Sequence, residues 1–159
     1  MNKNKNTKEK ICAFYASDYH FEMISLPYIN KKMENRNQII ILTENNLEET
    51  MKTLLDKTNL KEDKKKKILQ LNWKNNDSDK FETIKTKINQ EEDIIIFIKG
   101  KENYIHTTNQ NIEKCIHNKK NIKIIDCYDI EEVGENPEEI IEQYQKILIT
   151  TGEKEIEKL

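Results

Sequence analysis

A set of short isoleucine-rich runs, with no polar alternation inside them, constrains this chain more than any other feature. The plainest is DIIIFIK at 93–99. Alternating apolar and polar residues would describe a strand with one wet face, whereas a continuous β-branched run bounded by charges describes a strand covered on both faces. ICAFY (11–15), QIIILTE (38–44), KILQLNW (67–73) and NIKIIDCY (121–128) read the same way. Five such strands separated by helical segments require crossover connections, and therefore a mostly parallel sheet with helices on both sides. The expected fold is a three-layer α/β domain over residues 10–159, with 1–9 as a polar lead-in.

The intervening segments carry helical spacing. Residues 18–35 place Phe21, Ile24, Tyr28 and Met33 along one helix, with Pro27 expected to kink or restart it. Leu47, Met51, Leu54 and Leu55 form an amphipathic stripe. Asp77 or Ser78 can cap a third helix bearing Phe81, Ile84 and Ile88, and a weaker fourth lies around 109–118. Asn136, Pro137 and Glu139 spell an N-cap, a first helical residue and a capping-box partner ahead of Ile140, Ile141, Tyr144 and Leu148. The terminal KILITTG reads equally as the end of that helix or as a sixth strand.

Composition decides which partners to expect. Charged and hydrophobic residues each make up 35% of the chain, so the apolar ones must be concentrated to fold at all, and they are. A formal net charge of −2 lacks the electrostatic footprint of a nucleic-acid binder. The longest apolar run, IIIFI at 94–98, is far short of a membrane span, and no signal-peptide core follows the N-terminal lysines. Three widely spaced cysteines, Cys12, Cys115 and Cys127, do not make a disulfide framework and fit a reducing cytoplasm.

The chemistry motifs are absent. With glycine only at 100, 134 and 152, neither GxxxxGK[ST] nor GxGxxG can be written, so classical ATP hydrolysis is not expected. CxxC, HExxH and GxSxG are missing as well. Cys115 and His117 are two apart, and on a helix they diverge by about 200°, which argues against a metal site. The expectation is a chain without metal, cofactor or catalytic pair.

In open α/β sheets ligands bind beyond the carboxyl ends of the strands. The residues leaving those ends are Tyr15, Ser17 and Asp18; Thr43 and Glu44; Asn72 and Trp73; Lys99; and Cys127, Tyr128 and Asp129. Of these, Tyr15, Ser17, Asp18, Thr43, Glu44, Trp73, Cys127 and Tyr128 are the candidate ligand-binding residues. Structural alternatives stand beside them: Ser17 or Asp18 as a helix cap, Thr43, Glu44 and Asn45 as caps of the second helix, Trp73 as edge packing, Cys127 as a small buried hydrophobe.

The stretch ICAFYASDYHFEMISLPYINKKMENRNQIIILTENN resembles the start of the MEDS family, a sensory domain of methanogen and methylotroph regulators related to the KaiC/RecA-like fold. Cys12, Phe14, Tyr15, Ser17, Asp18 and the Pro27-Tyr28 step carry the likeness, together with the strand at 38–44. Lys10 stands where that family would have histidine. The stretch IIDCYDIEEVGENPEEIIEQYQKILITTG looks like the family's last core strand and the helix near the domain end. The resemblance implies a RecA-like domain without a working Walker motif, used for ligand sensing in signal transduction.

Three roles follow as expectations. The first is a cytoplasmic, non-enzymatic sensory domain that binds a small, partly apolar molecule at the sheet edge and acts through a signalling partner, alone or as a homodimer. The second is a degenerate NTPase-like adaptor that uses an acidic C-terminal helix with Glu138, Glu139 and Glu142. The third is a thiol enzyme at Cys127 between Asp126 and Asp129, a role that the carboxylates oppose by raising the thiol pKa.

Overall fold

The structure is a computed structural model, and it describes residues 8–87, 93–115, 122–134 and 137–156. Strands β1 (Lys8–Tyr15), β2 (Gln38–Thr43), β3 (Ile94–Gly100), β4 (Ile122–Asp129), β5 (Lys146–Ile149) and β6 (Gly152–Glu155) form one sheet in the order β2-β3-β4-β1-β5-β6. The first four pairings along that order are parallel and the β5–β6 hairpin is antiparallel. Helices α1 (Asp18–Glu34), α2 (Glu48–Asp56) and α3 (Glu62–Gln70) bury one face; α4 (Asp77–Lys87), α5 (Glu102–Cys115) and α6 (Pro137–Ile141) bury the other. The chain is a three-layer α/β domain with a mostly parallel sheet.

Strand periodicity assigns each isoleucine to a layer. Ile11, Ile39, Ile41, Ile95, Phe97 and Ile125 point toward α1, α2 and α3, while Ile40, Leu42, Ile94, Ile96, Ile98 and Ile124 point the opposite way. Every residue of β3 is buried, as its unbroken apolar run demands.

Five expectations need correction. Residues 67–73 are not a strand: Glu62–Lys67 is a run of good helix formers with acidic residues in its first turn, and the helix it starts runs to Gln70. The segment KILI is a strand, parallel to β1, so the last helix stops at Ile141 instead of reaching Leu148. Helix α1 runs through Pro27 unbroken. Both Pro27 and Met23, whose carbonyl loses its partner, lie on the exposed side, where water can replace the missing bond. Finally, α5 begins at Glu102, well before 109, and β1 takes in Lys8 and Glu9 from the expected lead-in. Residues 1–7, Ile88, 116–118 and the expected N-cap Asn136 lie outside the described residues.

Candidate functional site at the carboxyl edge of the sheet

The sheet order creates the site. β1 leads into α1 on one face while its neighbour β4 leads toward α6 on the other; β2 and β3 diverge in the same manner toward α2 and α5. Diverging exits leave crevices at the carboxyl edge. A hollow of about 400 Å³ lies there, lined by Tyr15, Ser17 and Asp18, by Glu44 and Asn45, by Lys99, Gly100 and Lys101, and by Asp129. The ends of β1, β2, β3 and β4 all contribute.

Beneath this hollow sits a buried cation. The Lys99 side chain is 2% exposed, and its ammonium donates to Asp18 Oδ1 at 2.8 Å and to Asn45 Oδ1 at 3.1 Å. It also lies 4.5 Å from the centre of the Tyr15 ring and 5.4 Å from that of Phe21. Asn45 Nδ2 donates to Asp18 Oδ2 at 3.0 Å, which closes a triangle of Lys99, Asp18 and Asn45. Thr43 Oγ1 holds Asn45 in place with its single proton, which lies between the backbone carbonyl at 2.9 Å and the side-chain oxygen at 3.2 Å. A buried ammonium is tolerated only with such partners, and two hydrogen bonds with two aromatic faces supply them.

The local sequence explains the frame. Ser17 accepts from the His20 backbone N–H at 3.1 Å and caps α1, so Asp18 enters the helix's first turn, where a carboxylate is stabilised by the unpaired N–H groups. The Ile130 N–H donates to the Tyr15 carbonyl at 2.9 Å, tying the β4 exit to that of β1. Glu44 Oε1 accepts from the Lys101 backbone N–H at 2.9 Å, joining β2 to β3. That bond needs glycine at 100: a Cβ there would sit 2.7 Å from Glu44 Oε1 and 2.6 Å from Tyr104 Cδ2.

Charge at the rim is set by what Lys99 leaves over. Its ammonium balances Asp18, whose side chain is 40% exposed, so the remaining ionic groups lining the hollow are Glu44, Asp129 and Lys101. The rim is therefore slightly acidic. Burial, and then the neighbouring Asp129, Cys127, Asp18 and Glu44, push the Tyr15 phenol well above its ordinary pKa, so it stays neutral. One turn into α1, burial raises the pKa of Glu22, and its Oε2 has no hydrogen-bond partner among the described residues.

The predicted residues separate into three groups. Tyr15, Ser17, Asp18 and Glu44 line the hollow, and Thr43 supports it from beneath. Tyr128 faces the opposite layer and bonds to Tyr144 at 2.7 Å. Trp73 and Cys127 belong to the core. The indole N–H of Trp73 donates to the Ile68 carbonyl at 2.8 Å, inside the layer formed by α2 and α3. The Cys127 thiol donates to Ile125 O at 3.6 Å, and burial first, then Asp126, raise its pKa well above the thiol range, so it is neither exposed nor activated.

Gly100, Lys101 and Glu22 carry no signal in the sequence; Asn45 reads there only as a helix cap, and Lys99 and Asp129 only as strand exits. A lysine directly after an apolar run is the one signal that pointed to Lys99. Its burial depends on Asp18 and Asn45, which are remote in sequence. No family model, curated protein or solved structure matches the chain.

Proposed function

We propose that this protein is a cytoplasmic sensory or regulatory domain of the MEDS and RecA-like kind, without catalysis. In this reading it binds a small polar molecule at the carboxyl edge and signals through a protein partner. The observation that carries the reading is the sealed ammonium of Lys99: it locks Asp18 and Asn45 in one geometry under an open hollow fed by four strand ends. A preorganised polar floor of this kind favours recognition, since little ordering remains to be done when a ligand arrives. With Trp73 in the core and the rim slightly acidic, the ligand is polar and carries a cationic group, as an amino acid or a small amine does. A partly apolar ligand is no longer favoured.

Partner contact is supported by the exposed acidic side chains of Glu131, Glu132, Glu138, Glu139 and Glu142, around the turn after β4 and α6. Ligand occupancy would act on that surface through the turn at Ile130, which is bonded to β1.

Thermal stability measured against separate pools of amino acids and amines, of carboxylates, and of nucleotides and phosphates tests the reading. A ligand at about 100 times its dissociation constant stabilises by roughly 2.7 kcal/mol. The amine-bearing pool should raise the melting temperature. Glu44→Gln combined with Asp129→Asn should abolish the shift, because both amides keep the oxygen that accepts from Lys101 or Glu131 while losing the charge. A response confined to anions, or none at all, would refute the ligand class.

A further inference from the structure

On the opposite face of the sheet a second polar cluster sits where packing alone gives no reason for one. Asp126 lies inside β4, fully buried, in register with Cys12 of β1 and Ile98 of β3 on a layer otherwise walled by isoleucine. Replacing a buried ion pair by apolar side chains is often neutral or stabilising, so stability does not demand this one. Helix α6 is only five residues long, and a gap remains between it and α5. The gap is a cavity of about 340 Å³, whose lining includes Lys10, His106, Asp126, Tyr128, Gln143 and Tyr144.

Hydrogen-bond counting shows which valences remain. Asp126 Oδ1 accepts from Asn109 Nδ2 at 3.0 Å; Oδ2 accepts from Lys10 Nζ at 2.8 Å and from the Tyr144 hydroxyl at 2.5 Å. Lys10 Nζ also donates to Asn109 Oδ1 at 2.7 Å. Tyr144 has one proton and spends it on Asp126, so the 2.7 Å contact between the two hydroxyls must have Tyr128 as donor. Among the described residues, one lone pair on the Tyr128 oxygen and the third ammonium proton of Lys10 are left over, on residues that line the cavity. The Lys10 side chain is 28% exposed, so that proton is reachable from the solvent side.

Charge narrows the occupant. Lys10 and Asp126 neutralise each other. A further anion would approach the buried Asp126 carboxylate and the Glu102 carboxylate at the rim; a further cation would approach Lys10, and the carboxylate left in the lining to offset this is Glu102, exposed to water that screens it. A neutral molecule with hydroxyl groups meets neither penalty. It can donate to Tyr128, accept from Lys10 and exchange hydrogen bonds with Asn103, His106 and Gln143, all exposed at the mouth. The two tyrosine rings, 6.3 Å apart and close to perpendicular, supply apolar wall. The volume is at the small end of the ~300–1,000 Å³ typical of ligand cavities.

We propose that the cavity between α5 and α6 is a second binding site, separate from the carboxyl-edge hollow, for a small uncharged polyol or monosaccharide.

The test is a ¹H–¹⁵N NMR titration of the whole chain with D-ribose, D-glucose, myo-inositol and glycerol, each to its solubility limit, beside methyl phosphate and ethylamine as charged controls. At least one polyol should give saturable shifts at residues 103, 106, 109, 128, 143 and 144, and the controls should not. His106→Ala with Gln143→Ala, both exposed positions, should weaken that binding about tenfold, and Tyr128→Phe, which keeps the ring, should weaken it similarly. Folding of each variant is read from its own spectrum. The proposal is overturned if none of the four polyols saturates, if the shifts centre on residues 18, 44 and 129, if the variants bind like the parent, or if a charged control binds as tightly. Failure here leaves the carboxyl-edge reading standing, since that site is probed by other residues and by amines.

Discussion

Two lysines in this protein are buried almost equally, and their surroundings could hardly differ more. Lys99, 2% exposed, ends a central strand and meets a carboxylate, an amide and two aromatic rings. Lys80, 4% exposed, lies on α4 and donates to two backbone carbonyls, those of Ile41 at 2.5 Å and of Lys74. Among the described residues no carboxylate is bonded to it, and burial pulls its pKa down to about 8, with Asp77 opposing. The difference teaches what each lysine is for. Lys99 organises side chains that a ligand can reach. Lys80 serves as a plug: among the described residues β2 pairs only with β3, and the ammonium occupies a carbonyl on the strand's free edge that another chain's strand would otherwise seek. The hollow of about 330 Å³ along that edge, with Lys80 in its lining, therefore reads as a guarded strand edge.

The sharpest way to break this comparison is Asp18→Ala. Removing one partner of a buried ion pair costs roughly 3–5 kcal/mol, and because Asp18 is partly exposed the loss here should be about 2–3 kcal/mol by urea denaturation. Lys99→Met should cost less, since the carboxylate it abandons can return to water. Equal losses would mean that the buried ammonium is not what the site protects.

Next in size is a pH effect at Lys80. Its folded pKa lies below the ordinary lysine value of 10.5, so between pH 8 and 10.5 the unfolded chain binds more protons than the folded one. Lys80 therefore adds stability as pH rises in that window, by at most about 1.4 kcal/mol per pH unit. Tyr15, Tyr28, Tyr104, Tyr128 and Tyr144 are held above the ordinary phenol value, and Cys12 and Cys127 above the ordinary thiol value, chiefly by burial, so these groups subtract stability as pH climbs toward 9 and 10. Because they act alike in parent and variant, Lys80 is read as a difference: the stability of the parent minus that of Lys80→Met should grow from pH 7 to 10 in urea denaturation. A constant difference would remove the contrast between the two lysines.

Smaller effects sharpen the Lys99 side. Gly100→Ala should cost about 1–2 kcal/mol, because the new Cβ must displace Glu44 and Tyr104, and it should weaken ligand binding at the same time. Tyr15→Phe keeps the ring over the ammonium and should stay within about 0.5 kcal/mol, whereas Tyr15→Leu should lose about 1 kcal/mol of cation–π attraction. Calorimetric comparison of the pair isolates the ring from its hydroxyl.

How much was legible depended on how local the cause was. The runs at 11–15, 38–43, 94–98 and 122–128 declared themselves, and so did the Ser17 cap and the stripe on α2, since each rests on neighbours within one turn or one strand. KILQLNW misled because Ile68, Leu69, Leu71 and Trp73 are apolar at spacings that suit either element, while the deciding residues, Glu62–Lys67, lie upstream. KILI stayed ambiguous because its strand state comes from pairing with Ile11 and Cys12 at the far end of the chain. At the site, Ser17 and Asp18 were visible as a helix start, yet nothing near Lys99 announces a partner 81 residues away.

By itself, the sequence determined the layers: unbroken isoleucine runs cannot leave either face in water, so helices had to cover both sides of a parallel sheet. Only the tertiary structure decided which polar groups meet. Strand order brought Lys99 onto Asp18 and Asn45, and Asp126 onto Lys10, Asn109 and Tyr144. Burial patterns are written by each residue's own chemistry, whereas a pairing between distant charges exists only once the chain has placed both in the same low-dielectric space.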